Sequence, residues 1–253
     1  MNLVPKKQLG QHFLVDENIL GVIDGLADLQ AGDVVLEIGP GLGMLTWYLS
    51  ERVAHVHAVE LDRSLEPRLL DVPRTTLHWG DALTLDLTAL DPAPTKLVAN
   101  LPYNIATPFV VESLDRLPGI ASWCVMVQRE VADRFFASPS TKAYGAVSVL
   151  IQLVTERTGF HGVSREVFRP RPNVASALVA FRRTALGVPT GVKSVVEAAF
   201  AHRRKTLANS LALAGVAPRE QTAAALEAIG RDPAVRAEAL QPPEFVALTA
   251  QLT

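Results

Sequence analysis

Apolar residues fall into two textures along the chain, with the change near residue 185. In the first part, short aliphatic runs recur at 34–38, 56–60, 77–81, 96–100 and 122–128, each stopped by glycine, proline or a polar residue. Runs this short and this rich in valine and leucine read as strands buried on both faces of a parallel sheet. Helical spacing lies between them, in Met44–Leu49 and Glu130–Phe136. Ahead of the first strand, Ile19, Leu20, Val22, Ile23 and Leu26 form the apolar stripe of a helix, with Asp16 as its expected N-cap. Residues 144–152 fit either period, and a helix is expected. Residues 153–162 and 174–183 read as strands. Phe168-Arg-Pro-Arg-Pro172 between them is too proline-rich for either element.

Residues 184–191 form a linker. From Val192 the texture becomes alanine-rich, with helices expected at 192–204, 206–214, 218–229 and 242–251, punctuated by Pro218, Pro233 and Pro242-Pro243. The pattern predicts an α/β fold: a Rossmann-like, mostly parallel, doubly wound sheet over residues 1–185, then a small all-helical C-terminal domain over 192–253.

The first strand runs into Gly39-Pro-Gly41-Leu-Gly43 and then into a helix. Glycines at such a turn let the backbone bend tightly and approach a ligand. A dinucleotide fingerprint would need a third glycine at 44 or 46, which are Met and Thr, and no phosphate-binding lysine follows. Glu37 stands two residues before the first glycine, where a carboxylate disfavours pyrophosphate and suits a cation. The second strand ends in Glu60, placed to accept ribose hydroxyls, and the third in Asp81. Three acid-tipped strands around a glycine loop point to an adenosine ligand carrying positive charge, and the sulfonium S-adenosylmethionine fits.

The fourth strand ends in Asn100-Leu101-Pro102-Tyr103. Asparagine offers an acceptor, the proline aims the Leu101 carbonyl, and tyrosine offers a flat face. The set suits a flipped-out base with an exocyclic amine, held by two acceptors and stacked on Tyr103. Positioning rather than a strong base would do the chemistry.

Net charge is only −2, but its distribution is uneven. Residues 13–122 are net −10 and residues 123–210 net +8. An acidic segment followed by a basic one suggests a polyanion bound on one face. Nearly half of the residues are apolar, yet no twenty-residue apolar segment occurs. The N-terminus has no signal-like apolar region, and the single Cys124 cannot pair internally, which suits a cytoplasmic setting. His55 and His57 lack further metal-type ligands and are expected to face solvent; no metal is expected. Trp47, Trp79 and Trp123 are expected in the core.

Taken together, LGQHFL (9–14), LEIGPGLGMLT (36–46), VELD (59–62), GDAL (80–83), NLPYNIATP (100–108), VQREVADR (127–134), KAYGAVSVLIQ (142–152), VFRPRPNVASALV (167–179) and RRKTLANSL (203–211) resemble the KsgA-type ribosomal RNA adenine dimethyltransferases. The stretches run in family order over nearly the whole chain. The resemblance implies a class I methyltransferase sheet. It implies transfer of four methyls from S-adenosylmethionine to N6 of two adjacent adenosines near the 3′ end of small-subunit (16S) rRNA, within a 30S precursor particle and by a monomer. It implies that residues 1–14 cover the cofactor site, with contacts from His12, Leu14, Glu37, Gly39, Gly41, Glu60, Leu61, Asp81, Ala82 and Asn100. Asn100, Leu101, Pro102 and Tyr103 would hold the target base, with Phe168 as a second aromatic wall. RNA contacts would come from Lys6, Lys7, Arg129, Arg134, Arg169, Arg171, Arg203, Arg204 and Lys205. His12 stands where many members have Asn, and Ala175 where an acid is common. The competing readings are an erythromycin-resistance-type 23S rRNA methyltransferase, a non-catalytic RNA-binding homologue and a DNA N6-adenine methylase. The last is weakened by Leu101, where those enzymes usually have Pro.

Overall fold

The computed structural model describes residues 11–252. In chain order the strands are β1 (Phe13–Leu14), β2 (Val34–Ile38), β3 (His55–Glu60), β4 (Thr75–Trp79), β5 (Lys96–Asn100), β6 (Ser122–Gln128), β7 (Thr155–Val163), β8 (Phe168–Arg169) and β9 (Ser176–Arg183). The helices are α1 (Asn18–Ala27), α2 (Met44–Ser50), α3 (Glu66–Leu69), α4 (Ala106–Arg116), α5 (Arg129–Phe135), α6 (Ala146–Val154), α7 (Val192–Ala201), α8 (Leu207–Leu213), α9 (Arg219–Ala228) and α10 (Pro242–Leu252).

Seven strands form one sheet in the order β4-β3-β2-β5-β6-β9-β7. From β4 to β6 every pairing is parallel; β9 then joins β6 antiparallel. Strand order reverses between β2 and β5, which opens a crevice at their C-terminal ends, where open α/β sheets bind ligands. All five residues of β2 are buried, as its unbroken apolar run requires, and Glu37 is buried with them. At the other end of the sheet the Lys96 ammonium lies 2.9 Å from the Asp33 carboxylate, both nearly buried, and donates to Ala27 O.

Two compact units divide the described chain. One combines the residues up to Ala132 with Glu156–Thr184, and the other combines Asp133–Thr155 with the residues from Ala185 onward. The expected boundary at 185–192 therefore leaves out one segment, 133–155, which clusters with the C-terminal helices. Its contacts explain why. Tyr144 is fully buried, donates from its hydroxyl to Leu240 O at 2.7 Å, and packs edge-on against Phe200. Ser140 N donates to Glu238 O. The polar residues that interrupt the apolar run of α6 satisfy backbone carbonyls: Ser148 bonds Arg134 O, and Gln152 bonds Phe135 O and Ala137 O.

Several local expectations are corrected. The N-cap position of α1 is Glu17, although Asp16 still accepts from Asn18 N. Helix α4 has no counterpart among the elements expected from the pattern. Its Pro108 falls in the first turn, where no N–H is needed, and Ala106, Phe109, Val110, Ser113 and Leu114 form a buried stripe. Phe168-Arg169 is not a loop but a two-residue strand paired antiparallel with β1. Of the tryptophans, Trp123 is buried and stacked on Phe181, but Trp47 is 41% exposed. His57 is buried rather than solvent-facing. Its Nε2–H donates to Pro92 O at 2.8 Å, so its Nδ1 accepts from His78 Nε2 at 3.0 Å. Among the described residues no group of three metal-type ligands is present, and no helix is long and apolar enough to cross a membrane.

These histidines predict an acid weakness. Burial, and then the neighbouring His57, lower the pKa of both His55 and His78. At these two sites the unfolded chain binds protons more readily than the folded one, so their contribution to stability falls as pH drops through the ordinary value near 6.5 towards the lowered values. Groups of opposite sign, such as a carboxyl raised by burial, are common to wild type and His78→Gln, so between about pH 7.5 and about pH 5.5 the melting temperature of wild type should fall relative to that of His78→Gln. Parallel curves for the two proteins would contradict this.

Candidate functional site

The crevice between β2 and β5 is a single cleft. It is lined by Gln11–Leu14, Glu37–Leu42, Met44, Leu45, Val59–Leu61, Gly80–Ala82 and Asn100–Ile105. Four strand ends thus meet one short segment of the N-terminal lead.

The glycine loop takes its shape from backbone freedom and close approach. Gly39 and Gly41 have φ of 73° and 60°, a region that side-chain-bearing residues avoid. A Cβ on Gly39 would lie 3.0 Å from the Pro102 ring, and one on Gly41 would lie 2.9 Å from the Phe13 ring. The loop is therefore pressed between the fourth-strand turn and the N-terminal lead, and neither approach leaves room for a side chain.

Glu60 fastens this loop to the tip of β3. Its Oε2 accepts from Gly41 N at 3.2 Å, and its Oε1 accepts from Leu61 N and Asp62 N, both at 2.8 Å. Burial raises its pKa, and the three backbone donors pull it part of the way back. A carboxylate offers about four acceptor positions. With three occupied, the free capacity for a ligand hydroxyl is on Oε2.

Glu37 has the opposite surroundings. It is 1% exposed, and its Oε2 has no hydrogen-bond partner. Burial pushes its pKa up to about 8; the Thr46 hydroxyl, close by but outside hydrogen-bond geometry, draws it back in part, and the nearby Glu60 charge raises it further. A buried orphan acceptor costs on the order of 1–3 kcal/mol unless something fills it. The arrangement favours a ligand that is cationic or donates a hydrogen bond. Asp81, by contrast, is exposed at the cleft mouth, with Oδ1 accepting from Leu83 N and the buried Ala82 beside it.

Across the cleft, Asn100 Nδ2 donates to His12 O at 3.1 Å, which leaves Oδ1 as the outward acceptor. His12 is held in turn by its Nδ1, 2.8 Å from Pro170 O, and the β1–β8 pairing sets Phe13 opposite Arg169 and Leu14 opposite Phe168. The Tyr103 hydroxyl lies 2.6 Å from Ser176 Oγ, and burial raises its pKa.

Of the residues expected to bind cofactor or target base, all but Phe168 line the cleft. Phe168 has no exposed surface and packs among Leu14, Ile19, Leu20 and Leu178, so here it supports the lead strand and is not a wall of the cleft. The expectation that it faces a base fails because pairing with β1 turns it into the core. Gln11, Phe13, Asp62 and Ser176 are not among the expected contacts, although each lies in a stretch that carries the family resemblance. Gln11 Nε2 donates to Asp62 Oδ2 at 3.0 Å, a bond across fifty residues that no local pattern announces.

The expected RNA-contacting residues are scattered. Lys6 and Lys7 lie outside the described residues. Arg129 covers the Phe160 ring at 4.8 Å, Arg169 donates to Glu166 O and Phe168 O, and Arg171 pairs with Glu166. Arg134 is half-buried at the end of α5. In the helical unit, Arg203 donates to Lys142 O and Tyr144 O, while Arg204 and Lys205 are exposed. These three lie in the turn after α7, not in the helix.

Comparison with known proteins agrees with this geometry. The family model for ribosomal RNA adenine dimethylase matches residues 3–250. A ribosomal RNA small subunit methyltransferase A from Rubrobacter xylanophilus is 47% identical, over 96% of this chain and 94% of the relative. One from Thiobacillus denitrificans is 42% identical over 98% of each. Among solved structures, a dimethyladenosine transferase from Plasmodium falciparum shares the fold, with a TM-score of 0.77 at 23% identity over 94% of this chain and 96% of that one. The 23S rRNA methyltransferase ErmE has a TM-score of 0.67 at 28% identity over 95% and 99%.

The close approach at the glycine loop predicts the effect of Gly41→Ala. Left-handed backbone costs about 1–2 kcal/mol for an L-residue, and the Phe13 ring must also move. The variant should melt at lower temperature, and adding Phe13→Ala should restore its ligand binding relative to Gly41→Ala alone. Calorimetry and thermal melts check this; no recovery in the double variant would show that the Phe13 contact is unimportant.

Proposed function

The chain belongs to the ribosomal RNA adenine dimethylase family, and we propose that it dimethylates N6 of two adjacent adenosines near the 3′ end of 16S rRNA, with S-adenosylmethionine as methyl donor. The observation that carries the reading is the placement of Asn100, Leu101 and Tyr103 on the same cleft as the glycine loop and three acid-bearing strand ends, with the Asn100 nitrogen already engaged by His12 O. The small-subunit substrate is favoured over the 23S alternative by 42–47% identity to small-subunit enzymes against 28% to ErmE.

The residues present fit the cofactor. An orphaned buried carboxylate at Glu37 and a glycine loop with no room for side chains suit a cationic amino-acid portion. Glu60 Oε2 is available for a ribose hydroxyl, and Asp81, Ala82 and Leu61 border the adenine side, with His12 and Leu14 closing the cleft. When bound, the group supplies an electrophilic methyl on a sulfonium.

The chain's own work is positional. In the first transfer Asn100 Oδ1 and the Leu101 carbonyl accept the two N6 hydrogens of the target adenine, which turns its lone pair towards the methyl; in the second, the one remaining hydrogen is accepted, and in each the methylated nitrogen releases one proton to solvent. Pro102 sets the direction of that carbonyl, and Tyr103 stacks on the base. The Tyr103 phenol is engaged by Ser176 and shifted away from ionisation, so it offers a face and not a base. Arg204 and Lys205 of the helical unit contact rRNA phosphates in a 30S precursor, with the protein acting as a cytoplasmic monomer. The buried Cys124, its thiol pushed up to about 12 by burial, takes no part.

The direct test is to incubate the protein with labelled S-adenosylmethionine and unmethylated 30S particles, 50S particles or DNA, and to map the product. Two adjacent dimethyladenosines in 16S rRNA are expected; label confined to 23S rRNA or DNA would overturn the assignment.

Two further outcomes are expected. A cation beside Glu37 stabilises its ionised form, so cofactor binding must expel the proton held below about pH 8. Affinity should rise with pH by up to about tenfold per unit below that value and level off above it. Calorimetry on Glu37→Gln should give a flatter profile; an identical one removes Glu37 from the cofactor's surroundings. Separately, Arg204→Glu with Lys205→Glu should weaken 30S binding and lower its salt slope by roughly 0.7–0.9 for each lost phosphate contact. Cofactor affinity should stay unchanged. Arg203 is left in place because it holds the 142–144 backbone. Wild-type particle affinity in the double variant would put the RNA path elsewhere.

A further inference from the structure

Tyr103 stands in a turn between Pro102 and α4, with no ladder hydrogen bonds to hold it. A stacking ring in such a place needs an anchor, because it can swing about χ1 and spin about its Cβ–Cγ axis. The structure shows one contact against each motion. The hydroxyl, at the far end of the ring, lies 2.6 Å from Ser176 Oγ, and a bond at that end restrains the swing. The spin axis passes through the hydroxyl, so that bond does little against spinning. There the His12 ring packs beside Tyr103, with centroids 5.5 Å apart and planes tilted by 33°.

Ser176 is well placed to be rigid. It is 1% exposed and opens β9, opposite Gln128 on β6, at the end of a run of seven paired residues. On the strand side of the turn, Leu101 N donates to Met126 O of the same β6. The base-holding turn is thus referenced twice to the β6–β9 ribbon, once through its backbone and once through the Tyr103–Ser176 pair.

We propose that Ser176 is a positioning residue for methyl transfer, which fixes the Tyr103 ring against the sheet so that the stacked adenine meets the methyl in line. This deepens the function proposed above and rests on it. Ser176 touches neither substrate nor cofactor; it acts through the ring. Misplacement of a reacting group by about 1 Å can cost on the order of 10²-fold in rate, so loss of the anchor is felt in turnover.

The test compares Ser176→Ala, Tyr103→Phe and the double variant. Each single change removes the same bond, and Tyr103→Phe does so without touching the packed strand. Each should lower kcat by about tenfold or more, with the cofactor dissociation constant and the KM for 30S particles within about twofold of wild type. The double variant should be no slower than the slower single one. Wild-type kcat in Tyr103→Phe, or losses that multiply in the double variant, would overturn the proposal. A crystal structure of either single variant tests the anchor without any substrate. The ring at position 103 should lose its single position, and an unmoved, well-ordered ring would reject the anchoring role even if the enzyme's true substrate were another nucleic acid.

Discussion

The bond from Asn100 Nδ2 to the His12 carbonyl joins the two halves of the site. An asparagine amide can present either its oxygen or its nitrogen to a ligand, and only one orientation receives an amine. By accepting from the nitrogen, His12 O leaves the oxygen as the acceptor that Asn100 can offer a ligand in the cleft it lines. The geometry of His12 depends in turn on Pro170 O and on the β1–β8 pairing, which needs Phe168 in the core. A chain of short contacts thus runs from the proline-rich segment, through the N-terminal lead, to Asn100, the residue proposed to receive the target amine. Each is worth about 1 kcal/mol as a single hydrogen bond. Together they choose one of two amide orientations.

The cofactor side follows a complementary logic. Glu60 is rich in backbone donors and holds the glycine loop, while Glu37 has none on Oε2 and remains unsatisfied. One carboxylate builds the cleft and the other leaves it asking for positive charge. The glycines are needed because Pro102 and Phe13 close in on the loop from both sides, so the proposed cofactor cradle and the proposed base-holding turn lie against each other.

Much of this is legible in the chain. Parallel strands buried on both faces announce themselves as short aliphatic runs, and their acid or asparagine ends mark the ligand-binding edge. Sequence reasoning fails where long-range pairing overrides local pattern. Phe168 is expected to face a base, but a two-residue ladder with the N-terminal lead buries it. His57 is expected at the surface, but it is buried, and its partners Pro92 O and His78 lie twenty or more residues away. Continuity assigns segment 133–155 to the sheet domain, while Tyr144 and Ser140 bond the 238–240 backbone. Arg203 reads as a free cation in the sequence, yet it is spent on the carbonyls of Lys142 and Tyr144. Each of these four involves a partner remote in sequence, and no periodicity encodes that.

The most direct measurement is a structure of the protein with S-adenosylhomocysteine and adenosine bound. The account predicts the base stacked on Tyr103, its N6 within hydrogen-bond distance of Asn100 Oδ1, and Asn100 Nδ2 still donating to His12 O. An amide turned so that its nitrogen faces the base, or a base bound away from Tyr103, would contradict it.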